Sequence, residues 1–211
     1  MSNSYAFAPT ALDADGVCAS QTLGGAGNLT IDGVLASGGV ATLGEQAHIT
    51  LYSTGNYSAV TFTIYGTDTR GRSISETLAG PNNGTVTSAL NYKTVTRIAS
   101  GAALATAIIA GNSNALETPW IRVNQKEPIK AVSVEMSSGA SFTYELQWAN
   151  DGLAAITTNE SNLVAFADAT ITAKTANAML VTTTPVHAAR LKITSFVGGT
   201  GTLRITEQGY R

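Results

Sequence analysis

AVTFTIYGTDTRGRSISETL, residues 59–78, alternates large apolar and polar side chains up to a glycine-containing turn. In an extended chain successive side chains point to opposite faces. Val60, Phe62 and Ile64 therefore share one face, and Thr61, Thr63 and Tyr65 the other. GTDTRGR supplies turn residues and SISETL begins a return strand, so the stretch predicts a β-hairpin.

The same idiom extends in both directions. Upstream, HITLY at 48–52 reads as a strand followed by the turn STGNYS. Downstream, GPNNGT at 80–85 is a turn cluster whose residues tolerate positive φ, and 92–98 and 104–109 are further strands. ETPW at 117–120 interrupts the pattern and marks a domain boundary. Beyond it, IKAVSVEM at 129–136 and SFTYELQW at 141–148, separated by SSGA, predict a second hairpin. Residues 154–174 read as a loop with short strands or one helical turn. Residues 178–183 and 186–195 flank Pro185 as strands, and GTLRITE at 201–207 is the last strand.

Residues 1–47 are rich in Gly, Ala, Ser and Asn, with GGAGN at 24–28 and ASGG at 36–39. Alone they bury little, so they predict an extended arm held by packing. The expected fold is all-β: arm 1–47, then two β-sandwich-like domains at 48–117 and 118–211. Three segment pairs raise the idea of a duplication: AVTFTIY with AVSVEMS at 131, KTVTRIAS with AARLKITS at 188, and ATAIIAG with GTLRITE at 201.

Composition narrows the function. The 211 residues are 44% apolar and only 12% charged, with 21 glycines and a net charge of −2. The charged share is about half the usual 25%. A skin so poor in charge is weakly defended against association, which points to a surface covered by partners. No basic face exists to release counterions from nucleic acid. No apolar run approaches the roughly 18 residues of a membrane helix. The opening MSNSYAFAPTALDADG lacks a basic segment followed by an apolar one, so no secretory signal is expected. The sequons at Asn28, Asn56, Asn83 and Asn159 then read as accidents of composition, and synthesis in the cytoplasm is expected.

The sequence offers no activated polar cluster, so neither enzyme, cofactor nor metal is expected. His48 and His187 fall in separate strands and read as structural. Asp13-Ala-Asp15-Gly16 opens like a calcium loop but lacks the later ligands. Cys18 is the only cysteine. It reads as a small buried residue or free thiol, with an intersubunit disulfide as the alternative. Trp120 and Trp148 are candidates for core or interface anchors. Tyr5, Phe7, Cys18, Arg70, Arg72 and Trp120 are the candidate interface residues.

AVTFTIYGTDTRGRSISETLAGPNNGTVTSALNYKTVTRI at 59–98 resembles a block of tailed-bacteriophage virion proteins. There a strand ending in G-T-D leads to a turn, an I-x-E-T strand, G-P-N-x-G-T-V and F/Y-K-T-V. TYELQWANDG and PVHAARLKITSFVGGTGTL are similar to the C-terminal block of those proteins. Trp148-Ala149-Asn150-Asp151 replaces their usual Phe-Asp-Asp exit. The resemblance covers most of residues 22–211. It implies a self-assembling virion component: a head decoration or cement protein, or a neck, collar or tail accessory. Its partners would be copies of itself, as a trimer or ring, and major capsid or connector proteins. Neither nucleic acid nor membrane would be a partner. A host-surface or carbohydrate-binding module is the rival reading, for which Tyr57, Tyr65 and Tyr92 supply the plausible aromatics.

Overall fold

A computed structural model describes residues 2–124, 129–151, 163–183 and 185–208. Among these the regular structure is entirely β, in two sheets, a β-sandwich-like all-β fold. The chain divides into two units. One comprises residues 10–116, the other residues 1–9 and 117–211.

The second of these contains β1 (Ser2–Phe7), β10 (Ile121–Arg122), β11 (Ile129–Met136), β12 (Ser141–Ala149), β13 (Ala165–Ala167), β14 (Ala178–Thr182), β15 (Ala188–Gly198) and β16 (Gly201–Gln208). Four strands pair antiparallel in the order β1-β16-β11-β14. The others pair as β13-β12-β15, with β10 also on β15. Phe142 is the hub between the layers. Its ring lies 5.6 Å from Phe7, 5.8 Å from Tyr144 and 6.3 Å from Phe196, within the range where aromatic pairs attract. Val132, Val134, Leu203 and Ile205 bury their side chains from the four-stranded layer, as period-2 alternation requires.

The expected hairpin of 129–136 with 141–148 does not form. β11 and β12 lie in different layers, so the link at 137–140 carries the chain from one to the other. The link from β15 to β16 does the same beside it. Alternation specifies which face of a strand is buried, and both arrangements satisfy it. The choice of partner is made at long range.

The unit of residues 10–116 contains β2 (Asp13–Leu23), β3 (Gly27–Leu29), β4 (Ala36–Ser37), β5 (Val40–Asn56), β6 (Thr61–Thr67), β7 (Ser73–Ala79), β8 (Asn82–Ser100) and β9 (Leu104–Glu117). Its order is β9-β5-β8-β6-β7, with β2 on β9, β3 on β8 and β4 on β5. The predicted hairpin is present as β6–β7, with Thr63 opposite Thr77 and their hydroxyls 3.0 Å apart. Phe62 and Ile64 point inward and are fully buried. Asp68 organises the tip, accepting from the backbone N–H of Arg70 and of Arg72, both at 2.9 Å.

Two expectations change here. Residues 1–47 are not a separate extended arm: they hold β1 to β4 and the start of β5, which runs unbroken through residue 48. Val17, Leu29, Ile31 and Leu43 are buried in the unit of residues 10–116. A short apolar island cannot build a core, but it can add one strand to an existing sheet. The turn cluster at 80–85 also shrinks to Gly80–Pro81, because β8 starts at Asn82, with Asn83 at φ 47°.

The segment pairs suggesting duplication do not hold matching places. β6 pairs with β8, whereas their counterparts β11 and β15 lie in different layers. Alternating Thr and Val is common to half-buried strands whatever their partners. Residues 152–162, within the stretch read as loop, strand or helical turn, lie outside the described residues, as does the sequon at Asn159. From 163 to 174 the chain holds only β13 and an isolated bridge between Lys174 and Tyr144.

Candidate functional site

The outer face of the β7-β6-β8 sheet carries a shallow depression of about 320 Å3, lined by Tyr65, Gly66, Ser73, Ile74, Ser75, Thr96 and Arg97. Pairing register builds it: Ser75 on β7 is opposite Tyr65 on β6, which is opposite Arg97 on β8. The register then slips between Tyr65 and Gly66, so Thr96 has no opposite number. Such a bulge bends a strand and re-aims its side chains. Thr96 Oγ1 donates to the Tyr65 carbonyl at 3.3 Å. Gly66 permits the close approach, since a Cβ there would fall 1.9 Å from the Thr94 carbonyl oxygen. The Arg97 guanidinium carbon lies 3.7 Å from the Tyr65 ring centroid, a cation–π stack.

Of the tyrosines considered for a sugar platform, only Tyr65 is partly exposed. Tyr57 is buried and exchanges hydrogen bonds with the Thr106 backbone, and Tyr92 is fully buried with its hydroxyl 3.3 Å from the Ile64 carbonyl. Burial first, then the negative charge of Glu76, pushes the Tyr92 hydroxyl well above its ordinary range. Arg97 was not among the sequence candidates. Nothing in KTVTRI says that its arginine meets a tyrosine from another strand.

The six predicted interface residues are divided between the units. Phe7 and Trp120 are buried in one and Cys18 in the other, so none of these three is a surface anchor. Tyr5 is half-buried on β1. Arg70 is exposed at the β6–β7 tip, while Arg72 forms a 2.6 Å ion pair with Asp68. Burial, aided by nearby Asp32, pushes the Cys18 thiol up to about 12. A thiol so held is a poor nucleophile for exchange, against the intersubunit-disulfide alternative.

Trp120 belongs to a polar lattice on the β12–β15 sheet. Arg190 stacks over its ring at 4.5 Å, pairs with Glu117 at 2.5 Å, and donates to the Gln147 side chain at 2.8 Å. Gln147 in turn donates to Glu145, which lies 3.6 Å from Lys192. This lattice fastens Glu117 and Trp120 to β15. Trp148 donates its indole N–H to Asp168 at 2.8 Å.

His187 contacts the Asn150 carbonyl at 2.6 Å, and His48 belongs to the other unit. The Asp13 carboxylate accepts from the Asp15 N–H at 3.3 Å, both residues lying at the start of β2. Among the described residues, no three His, Cys, Asp or Glu side chains gather as a metal site would require.

No protein-family model matches this chain. No curated protein matches it either. Among solved structures, it is similar to the PBSX exported protein XepA, with a TM-score of 0.28 and 10% identity over 97% of this chain and 86% of that one. It is also similar to a protein from Parabacteroides distasonis described as secreted, with a TM-score of 0.25 and 10% identity over 99% of this chain and 89% of that one.

Proposed function

We propose that this chain is a structural component of a tailed-bacteriophage particle that assembles with copies of itself, as a head decoration or cement protein. In this reading it is not an enzyme, it is made in the host cytoplasm, and its final place is the virion. A neck, collar or tail accessory role is the nearest variant. The resemblance of residues 59–98 and of the C-terminal block supports the particle. The observation that carries self-assembly is the outer face of the four-stranded layer.

Across that face run the rows Thr206–Ala131–Val181 and Arg204–Ser133–Met179, in register. Met179 is 72% exposed and Val181 59%, both on the short strand β14, which ends the layer. Arg204 and Glu135, 3.6 Å apart, offset each other's charge. A face of small, hydroxyl and apolar side chains beside a strand edge that is unpaired among the described residues favours association with a like surface. Repetition over a symmetric shell turns weak contacts into a stable one.

Light scattering at micromolar protein, from low to about 1 M salt, tests the assembly. The expected result is a trimer or ring that persists in high salt, because screening removes only charge contributions. Met179→Asp with Val181→Asp should shift it toward monomer. A wild-type monomer in every buffer overturns self-assembly, and dissociation by salt alone overturns the apolar contact. Labelled antibody on purified particles should decorate heads for the cement reading, and necks or tails for the accessory one.

A further inference from the structure

The depression over Tyr65 has features that self-assembly does not use. Arg97 is exposed and held over an aromatic ring, and among the described residues no carboxylate forms an ion pair with it. Stacking restrains a guanidinium while leaving its N–H donors at the ring edge, in the fork that matches a carboxylate. Around it stand the hydroxyls of Ser73 and Ser75, each able to donate and accept, and that of Thr96, which donates to the Tyr65 carbonyl and can accept from a ligand. The volume of about 320 Å3 falls at the small end of ligand pockets, about 300–1,000 Å3.

We propose that this depression binds a carboxylate-bearing saccharide, with Arg97 taking the carboxylate, and Tyr65 and the neighbouring hydroxyls taking the ring. One cation matches one carboxylate per site. A polyphosphate chain would call for a cluster of basic residues, and this chain carries a net charge of −2. Ser, Thr and Tyr hydroxyls match the mixed donors and acceptors of a sugar better than an apolar or peptide ligand. Such a site gives a particle component a hold on acidic surface glycans, beyond its role in assembly.

The shared chemistry, a carboxylate on a hydroxylated ring, occurs in uronic and in sialic acids. Calorimetry on the full chain therefore uses two probes, a galacturonic acid tetramer and an α2,8-linked sialic acid tetramer. A neutral galactose tetramer and acetate are the controls. At least one acidic tetramer should bind with a Kd below about 1 mM, at least about tenfold tighter than either control. Arg97→Gln should weaken it at least about tenfold, a difference of about 1.4 kcal/mol. Arg97→Lys should weaken it less, and Arg122→Gln, exposed in the other unit, should leave it unchanged. Should Arg97→Gln fold poorly by its melting curve, the comparison of acidic with neutral tetramer on wild type still decides. Binding of neither acidic tetramer, equal binding of the neutral one, or full binding by a folded Arg97→Gln chain overturns the proposal. Light scattering on the same variants reports separately on assembly, which these substitutions should leave intact.

Discussion

Ser137 and Thr200 clasp each other across 63 residues of chain. The Ser137 N–H donates to the Thr200 carbonyl at 2.9 Å, and the Thr200 N–H donates to Ser137 Oγ at 3.1 Å. They join the two links that cross from one layer to the other, 137–140 and 199–200, so these turns act as one corner. Gly199 completes it, with φ at 98° and space only for hydrogen: a Cβ would meet that of Ala140 at 2.4 Å. Gly199→Ala should therefore destabilise the chain by about 2 kcal/mol or more, from backbone strain and crowding together. Ser137→Ala should cost about 1 kcal/mol, the worth of one hydrogen bond. Urea melts monitored by circular dichroism would measure both, and an unchanged Gly199→Ala midpoint would contradict the corner.

The first residues are part of a core. Phe7 is 2% exposed and packs edge-on against Phe142, while β1 covers the edge of β16. Phe7→Ala should cost about 3–5 kcal/mol, as for other large aromatic truncations. Removing residues 1–9 should lower the melting temperature, where a mere surface arm would leave it unaltered.

Cys18 should be silent in the native protein. Buried, and with its thiol pushed up to about 12, it is protonated at neutral pH and out of reach of reagents. A thiol reagent such as Ellman's should label it only through opening of the unit, with a rate that climbs steeply with urea. Non-reducing gels of the native assembly should show monomer chains. A disulfide-linked dimer in freshly purified protein would contradict the burial.

Asp168 should leave a signature at acid pH. Burial works against its charge, but hydrogen bonds from the Trp148 indole and from the Thr170 and Ile171 backbones outweigh that and hold its carboxyl below the ordinary value. A carboxyl whose folded value is depressed binds protons more readily when unfolded. Its stabilisation is complete above the unfolded value of about 3.9 and fades as pH falls through the folded one. Melting temperatures from pH 7 to pH 2 should show Asp168→Asn losing less than wild type below about pH 4. Parallel curves for the two proteins would show that Asp168 does not contribute to the acid limb.

Some of this was legible in the residues alone. The alternation of Phe62 and Ile64 with Thr61, Thr63 and Tyr65 specified a strand, its buried face and its hairpin with β7, because both signals are local: side-chain period and turn chemistry. Pairing between distant strands was not legible. SSGA is consistent equally with a hairpin and with a crossing between layers, and only the pairing of β11 with β14 and β16 and of β12 with β13 and β15 decides between them. The opening segment became a strand because β16 offered it an edge. Phe7, Cys18 and Trp120 are interior, and Arg97 meets Tyr65, by registers that join residues far apart in the chain. Period-2 alternation tells each strand which face to bury. Which partner lies at its edge depends on how the whole chain closes, and that is where the candidate site is made.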